Sequence, residues 1–323
     1  MYRMMKLKFW GTRGSLPVAL PLEQLRGKLT DMLMASGGRQ FADRVQALAF
    51  IEQKLPFELG GGFGGNTSCV EVRTGHDEYL LCDAGSGLRV FGNSVFGSRA
   101  GRPGAYHLLM SHVHWDHIMG FPFFAPSFIP GNRIFIYGCH AGLEESFKRQ
   151  QCAPSFPVPW EALGADVRFV QLRPGKTTEI AGVRVTPMLQ LHEGDSYGYR
   201  LEHGGHVWVY STDSEHNPQD IAQMQMFAAF FREADVVVFD AMYSLADAVS
   251  LKKDWGHSSN LVGVELCQMA GAKHLVLFHH EPIFDDERIA AMLKDTRRFE
   301  EISRDGRPPL RISAAYDGLE VDA

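Results

Sequence analysis

The residues best suited to chemistry are concentrated in one short run, Ser111-His112-Val113-His114-Trp115-Asp116-His117. Three imidazoles and one carboxylate within six residues, directly after an apolar segment, suit a site for zinc, manganese or iron. If the preceding strand continues, His112 and His114 project from one face and can chelate one ion. Asp116 and His117 lie past the strand end and can reach a second ion. The run therefore predicts a metal site rather than a polar surface loop.

This run resembles the H-x-H-x-D-H signature of the metallo-β-lactamase superfamily. Further stretches resemble the other landmarks of that superfamily, in the same order and at the ends of expected strands, and they extend the resemblance over almost the whole chain. These stretches are Lys8–Ser15, Gly65–Ser68, Leu81–Gly85, Leu191-His192, Tyr210–Asp213 and Leu277–His279.

The resemblance implies a centre with two divalent ions, zinc first, with manganese and iron as alternatives. A water or hydroxide between the ions would attack the substrate, because a pair of ions acidifies such a water. Three residues would bind each ion, and one carboxylate would bridge both. The first ion would be bound by His112, His114 and His192. The second ion would be bound by Asp116, His117 and His279, and Asp213 would bridge the two ions. The resemblance also makes Asp116 a catalytic residue.

The last of these ligands has a neighbour of the same type. His279 and His280 would point to opposite faces of an extended strand, so strand parity does not choose between them. The resemblance favours His279 and leaves His280 a buried or supporting role. Asp83 and Asp240 each end an apolar strand, and either one can accept the N–H of a metal-bound imidazole.

A second motif concerns phosphate chemistry. Trp255-Gly256-His257-Ser258-Ser259 matches the G-H-S-[ST] motif of ribonuclease Z-like members. The resemblance implies that His257 acts at the scissile phosphate, where an imidazole can protonate the leaving oxygen. Ser258 and Ser259 stand where a helix should begin, and the amides and hydroxyls there bind phosphate oxygens. Two other candidates for substrate contact are Arg13 and Asn66. Arg13 lies in a glycine-flanked turn, and a structural role is the alternative for this arginine.

The longest matches resemble the phosphoribosyl cyclic phosphodiesterase branch of the superfamily. We therefore expect a dimetal phosphodiesterase acting on a small cyclic nucleotide or cyclic ribose phosphate. A transfer RNA 3′-end nuclease, or another nuclease of the superfamily, is one alternative. A metal-bound sensor or binding module without turnover is another. The matching stretches are Phe9–Pro17, Gly64–Glu71, Ser111–Phe124, Trp255–Ser259 and Leu275–Pro282.

The composition limits the classes of partner that we expect for this protein. The 323 residues are 45% hydrophobic and 22% charged, close to the globular average. A net charge of −6 provides no basic excess for nucleic acid, so a small-molecule substrate is expected.

The longest apolar runs fall far short of the roughly 20 residues that span a bilayer. The N-terminal residues do not resemble a signal peptide, and five widely spaced cysteines without C-x-x-C indicate free thiols in the cytoplasm.

The succession of elements predicts an α/β fold. Strands and helices mix in both halves, which favours an αββα sandwich with two facing sheets and helices outside, here as one domain over residues 1–323. Helical apolar spacing predicts a helical insertion at 21–55. Prolines predict an irregular insertion at 152–163. The apolar stripes of the helical insertion need a cover, which favours a lid or a homodimer surface.

Overall fold

The computed structural model describes residues 5–98, 102–243 and 256–322. Fourteen strands within these ranges form two seven-stranded sheets. The first sheet contains β1 (Lys6–Gly11), β2 (Cys69–Arg73), β3 (Tyr79–Cys82), β4 (Ala105–Leu109), β5 (Arg133–Gly138), β6 (Asp166–Gln171) and β14 (Glu320–Asp322). The second contains β7 (Thr178–Ile180), β8 (Val183–Gln190), β9 (Ser196–His203), β10 (His206–Ser211), β11 (Val236–Asp240), β12 (His274–Phe278) and β13 (Arg311–Ala314).

Helices connect these strands. They are α1 (Leu22–Ala35), α2 (Arg44–Lys54), α3 (Phe57–Gly60), α4 (Gly87–Ser98), α5 (Trp115–Ile118), α6 (Leu143–Gln150), α7 (Ile221–Phe231), α8 (Asn260–Ala270) and α9 (Asp286–Ser303). Five of them, α4 and α6 to α9, cover the outer faces of the two sheets.

Three apolar layers give the molecule its αββα order. The layer between the sheets contains Phe9, Trp208 and Phe278, all fully or almost fully buried. A second layer lies between the second sheet and helices α7, α8 and α9, and a third lies between the first sheet and helices α4 and α6. Burial of this apolar surface is the main force that holds the layers together. The predicted α/β sandwich of two facing sheets is confirmed.

The strand order brings several carboxyl ends to one edge of the sandwich. The first sheet runs β14-β1-β2-β3-β4-β5-β6, and the second runs β13-β12-β11-β10-β9-β8-β7. Strands β3 to β6 are parallel, as are β10 to β13. Because parallel strands end at the same edge, the segments that follow β3, β4, β10, β11 and β12 meet there.

Apolar segments between turn residues predict twelve strands, among them Ala105–Met110, Val183–Leu191 and His274–Phe278, and each matches an observed strand to within a few residues. The strand before the histidine run does not continue into it, because β4 ends at Leu109, so the condition for placing His112 and His114 on one strand face is not met. Helix α4 was not predicted, because its glycines Gly92 and Gly97 weaken the helical signal. Strands β7 and β14, at the edges of the sheets, have only three residues each and were also missed.

The two predicted insertions differ in structure. Helices α1 and α2 occupy most of 21–55, and among their described residues none is buried. Residues 152–163 contain turns and one short 3-10 helix, Trp160–Ala162. The division of the chain into one domain with two insertions, and the role of the helical one as a lid or dimer surface, stay predictions.

Two further observations concern the cysteines and the membrane-spanning potential of the helices. All five cysteines are free, and Cys69, Cys82 and Cys267 are buried. Among the described residues, no helix combines the length and the apolar character that crossing a membrane requires.

Candidate metal centre

The candidate ligands come together at the shared edge of the two sheets. The loop after β4 supplies His112 and His114, and the short helix α5 supplies Asp116 and His117. The segments after β8, β10 and β12 supply the other three, His192, Asp213 and His279. All seven residues predicted as ligands thus lie in one cluster, although they come from positions 112 to 279 of the chain.

Four of the ligand atoms form a tetrahedral group, and five of its six edges are 3.2 to 3.3 Å long. The Nε2 atoms of His117 and His279 are 3.2 Å apart, and each lies 3.2 Å from Asp116 Oδ2. Each is also 3.3 Å from Asp213 Oδ1. A cation inside such a group would lie roughly 2 Å from each corner, close to the length of a bond between zinc and nitrogen or oxygen. The donor set therefore fits a divalent cation.

A second group of ligand atoms lies beside the first. His192 Nε2 is 3.2 Å from His114 Nδ1, and the imidazoles of His112 and His114 are 4.5 Å apart between ring centroids. Asp213 Oδ2 is 3.6 Å from His112 Nε2 and 3.7 Å from His192 Nε2. The two oxygens of Asp213 therefore face different groups, the arrangement expected of a bridging carboxylate.

Burial and charge set the protonation of these groups. Burial would raise the pKa of Asp213, but His279, His117 and His112 lower it well below its usual value. Burial, together with the neighbouring His117, lowers the pKa of His112 well below normal. Within the described part of the chain, the buried His112 Nε2 has no hydrogen-bond partner. A neutral buried imidazole nitrogen without a partner is costly, and a cation would satisfy it.

Hydrogen bonds behind the cluster orient two of its imidazoles. His117 Nδ1 lies 2.8 Å from Asp83 Oδ2, and His192 Nδ1 lies 2.8 Å from the carbonyl oxygen of Gly256. In both cases the bonded Nδ1 carries the hydrogen, so Nε2 presents its lone pair to the cluster. The predicted supporting position of Asp83 agrees with this geometry. Sequence reasoning did not identify Gly256, since a carbonyl contact leaves no signal in residue type.

His257 lies against the ligand cluster and is held by a buried carboxylate. Its Nδ1 is 2.8 Å from Asp240 Oδ2, and its ring lies 5.2 Å from those of His192 and His279. Burial lowers the pKa of His257, but Asp240 and the more distant Asp213 raise it to about 9. Cations bound at the cluster would lower this value toward neutrality by charge repulsion. A protonated imidazole here is a suitable proton donor.

The adjacent histidines at the end of β12 are separated by the fold. His279 has a φ of 61° and belongs to the tetrahedral group. His280 points away, with its Nε2 2.9 Å from the carbonyl oxygen of Ala315. The left-handed backbone at His279 is therefore what turns the strand end toward the cluster.

Two predicted substrate contacts are corrected. Arg13 is only 3% exposed, and its guanidinium donates to the backbone carbonyls of Gly64 and Phe284 at 2.9 and 2.7 Å. Asn66 donates from Nδ2 to Asp317 Oδ2 at 2.9 Å and accepts from Ser86 Oγ at 3.1 Å. Both side chains use their polar atoms to fix loops, so the structure gives them a structural role.

The two serines after His257 also differ from the prediction. Ser258 Oγ donates to the carbonyl of Ser214 at 2.6 Å, so its hydroxyl proton is not directed at a phosphate, and a contact of its amide with substrate stays a prediction. Ser259 is the N-cap of α8, but its side chain makes no capping bond. Its buried hydroxyl lacks a partner within the described residues, and its contact with substrate stays a prediction.

One contact to a ligand was not expected from the sequence. The amide of Ser15 donates to Asp116 Oδ2 at 2.8 Å, so the turn after β1 orients a predicted ligand. Next to it, a Cβ on Gly14 would lie 2.6 Å from Cε1 of His279, which explains the glycine. The sequence signal for this contact is the glycine-flanked turn, but the residue of that turn predicted to have a function was Arg13.

Comparison with known proteins agrees with this geometry. The model of the beta-lactamase superfamily domain matches residues 78–280. The probable metallo-hydrolase YhfI of Bacillus subtilis (strain 168) is 25% identical over 243 residues, 71% of this chain and 88% of YhfI. The histidine and aspartate cluster accordingly suggests that the chain binds divalent metal.

Solved structures share the fold at low sequence identity. The crystal structure of YhfI from Bacillus subtilis has a TM-score of 0.64 at 18% identity and covers 99% of each chain. A diphosphatase of the PhnP family has a TM-score of 0.59 at 19% identity, over 99% of this chain and 98% of that one. The short form of human tRNase Z has 0.56 at 17% identity, over 98% of each. Because the family model matches residues 78–280, more than half of the chain, the chain belongs to the metallo-β-lactamase superfamily of hydrolases, and the predicted membership is confirmed.

Proposed function

We propose that this protein is a dimetal phosphodiesterase that hydrolyses a small cyclic nucleotide or cyclic ribose phosphate. The two divalent cations, zinc first and manganese or iron as alternatives, would occupy the two ligand groups. Asp213 would bridge them, and His257 would serve as the proton donor. We also propose the cytoplasm as its location, because all five thiols are free.

The observation that carries this proposal is the pair of ligand groups that share one carboxylate. Asp213 Oδ1 belongs to the tetrahedron with His117 and His279, while Oδ2 faces His112 and His192. When bound, paired cations at such a site acidify water and neutralise charge on a phosphoryl group. Five imidazoles and two carboxylates, without thiolate, suit this hydrolytic role.

His257 supplies the second half of the proposed chemistry. Cleavage of a phosphodiester by water leaves an alkoxide that needs a proton. The ring of His257 is beside the ligand cluster, and Asp240 accepts from its Nδ1 at 2.8 Å, so its Nε2 is the atom that would donate the proton. Asp240 also favours the charged form of the imidazole, which keeps the proton available.

The relatives support phosphorus chemistry without choosing one substrate. Similar structures include a diphosphatase of the PhnP family and human tRNase Z. A nuclease acting at the 3′ end of transfer RNA, or another nuclease of the superfamily, is therefore the second candidate. The net charge of −6 argues against it, because nucleic-acid binding draws on an excess of basic residues. A sensor without turnover is the third.

A substrate panel with matched metal analysis tests the proposal. The holoenzyme would be assayed with cyclic nucleotides, cyclic ribose phosphates, bis-p-nitrophenyl phosphate, diphosphate, precursor transfer RNA, a thioester and a β-lactam. We expect turnover of the cyclic diesters and two metal equivalents per chain. Turnover of the thioester or lactam alone would reject the phosphodiester function. Two bound metals without turnover of any compound would favour the sensor.

A substitution at the bridge tests the arrangement of ligands. Asp213→Ala should leave at most one weakly bound cation, because both groups lose an oxygen, and activity should be lost. Asp235→Ala is the matched control, since that aspartate pairs with Lys273 at 2.7 Å at the opposite end of β11. Full metal content in Asp213→Ala would contradict the bridging role.

A further inference from the structure

The loop that carries His257 also holds a proposed metal ligand. The Gly256 carbonyl accepts from His192 Nδ1, which directs His192 Nε2 toward the cluster. Gly256 has a φ of 78°, and a Cβ at this position would lie 2.4 Å from His192 Nδ1. Loop and ligand are packed so closely that a shift of one would displace the other. The position of residues 256–258 therefore controls both the proton donor and a metal ligand.

Two residues on the far side of this loop hold it in place. Glu215 Oε2 accepts from the amide of Gly256 at 3.1 Å. The ring of His216 is bonded to Ser258, with 2.7 Å between Nδ1 and Oγ. The loop is thus bonded at the residues immediately before and after His257. Glu215 and His216 belong to the segment that follows Asp213, so both residues start from the end of β10, which also supplies the predicted bridging ligand.

The direction of the bond between His216 and Ser258 follows from the available protons. A serine hydroxyl has one proton, and Ser258 donates it to the carbonyl oxygen of Ser214 at 2.6 Å. Toward His216 the Ser258 oxygen is therefore an acceptor, and His216 Nδ1 carries the hydrogen. Aromatic packing fixes the ring in this orientation, with centroids 4.2 Å from Phe227 and 5.3 Å from Phe239.

We propose that His216 and Glu215 are positioning residues that clamp the 256–258 loop, so that His257 faces the leaving oxygen and His192 presents Nε2 to metal. The proposal rests on the proposed function and adds two residues to it. In the structure His216 acts through Ser258, and Glu215 through the amide of Gly256. Neither belongs to the ligand groups of the cluster.

Three substitutions of His216 test the clamp, because they move or remove the N–H group that donates to Ser258. Asparagine places an amide nitrogen near the site of Nδ1, glutamine places it near Nε2, and alanine removes it. The substrates are a cyclic ribose phosphate, whose alkoxide leaving group needs a proton, and bis-p-nitrophenyl phosphate, whose leaving group does not. We expect His216→Gln and His216→Ala to lower kcat on the first about 10–100-fold more than on the second.

The pattern of rescue separates positioning from general damage. His216→Asn should stay within about threefold of the wild type on both substrates, and KM should change little in all three variants. Glu215→Gln retains an acceptor and should likewise exceed Glu215→Ala in kcat on the cyclic substrate. Equal losses on the two substrates, or an asparagine variant as impaired as the alanine variant, would overturn the proposal.

A matched lesion elsewhere provides the control. His274 is also buried and bonded to a serine, with 2.8 Å between its Nε2 and Ser313 Oγ, but it lies at the opposite end of β12 from the cluster. His274→Ala should lower the unfolding temperature without altering the ratio of kcat values on the two substrates. A change in that ratio would attribute the effect in His216 variants to lost stability.

A measurement independent of activity completes the test. Long-range ¹H–¹⁵N correlation on metal-free protein with ¹⁵N-labelled histidine, assigned by the signal lost in His216→Asn, reports the tautomer of His216. The clamp requires the Nδ1–H form, and an Nε2–H form would refute it whatever the protein hydrolyses. If the wild type hydrolyses neither diester, the proposed function fails, while the tautomer still decides the contact.

Discussion

Replacement of Asp83 by asparagine removes a charge from the point where the first sheet supports His117. Asp83 is fully buried, and its Oδ2 accepts from His117 Nδ1, Ser111 Oγ and Tyr210 OH at 2.8, 2.8 and 2.7 Å. Its Oδ1 accepts from the amide of Ser111 at 2.8 Å. Four donors thus converge on one carboxylate, and each needs an acceptor.

Asparagine cannot accept all four of these bonds. An amide has one oxygen and one NH₂ group, so even its better orientation sets NH₂ against the Ser111 amide and leaves a buried N–H unpaired. That loss costs about 1–3 kcal/mol, and the three remaining bonds lose the assistance of a charge. We expect the unfolding free energy to fall by about 2–4 kcal/mol in total. Zinc affinity should fall about 10–100-fold, because His117 loses a charged partner.

Two titrations measure these effects in Asp83→Asn. Zinc affinity would be measured by competition with a chromophoric chelator, and stability by urea unfolding of metal-free protein. Tyr210→Phe is the graded control, since it removes one donor and leaves the carboxylate to His117, so zinc affinity should change less than about threefold. Unchanged zinc affinity in Asp83→Asn would refute the argument that this carboxylate orients a metal ligand.

The remaining predictions concern His257, Arg13 and His274. His257→Ala should retain metal and lose about 10²–10⁴-fold in kcat, and loss of metal instead would show that His257 is a ligand. Arg13→Ala should lower the unfolding temperature by several degrees with unchanged KM, since three backbone carbonyls lose their donor; a raised KM with unchanged stability would restore Arg13 to the substrate site. Burial and Arg311 lower the pKa of His274 to about 4, whereas an unfolded histidine titrates near 6.5. The folded state therefore binds fewer protons, stability falls as the pH decreases from 6.5 toward 4, and urea unfolding should show His274→Gln losing about 2 kcal/mol less than the wild type between pH 7 and pH 5.

Much of the fold was predictable because its signals are local. Apolar segments of four to eight residues between turns indicated the long strands, and the resemblance of ordered motifs indicated the sandwich. The misses have physical causes. Helix α4 contains glycines that lower helical propensity, and β7 and β14 are too short to show a period.

Metal chemistry was predictable for a different reason. His112, His114, Asp116 and His117 crowd one segment, and few folds place so many imidazoles together without a cation. The ligands distant in the chain, such as His192, were assigned through the family resemblance and not through spacing. The structure then placed them within one cluster.

The sequence by itself determined which kinds of side chain are available to bind a divalent metal, because ligand preference depends on residue type, and residue type is what a sequence records. Only the tertiary structure decided how individual side chains are used. It turned Arg13 inward to backbone carbonyls, committed the proton of Ser258 to Ser214, and directed the two oxygens of Asp213 to different ligand groups. The reason is that a hydrogen bond or a coordination bond depends on the direction and distance of its partner. Those partners are set by strand ends that lie far apart along the chain.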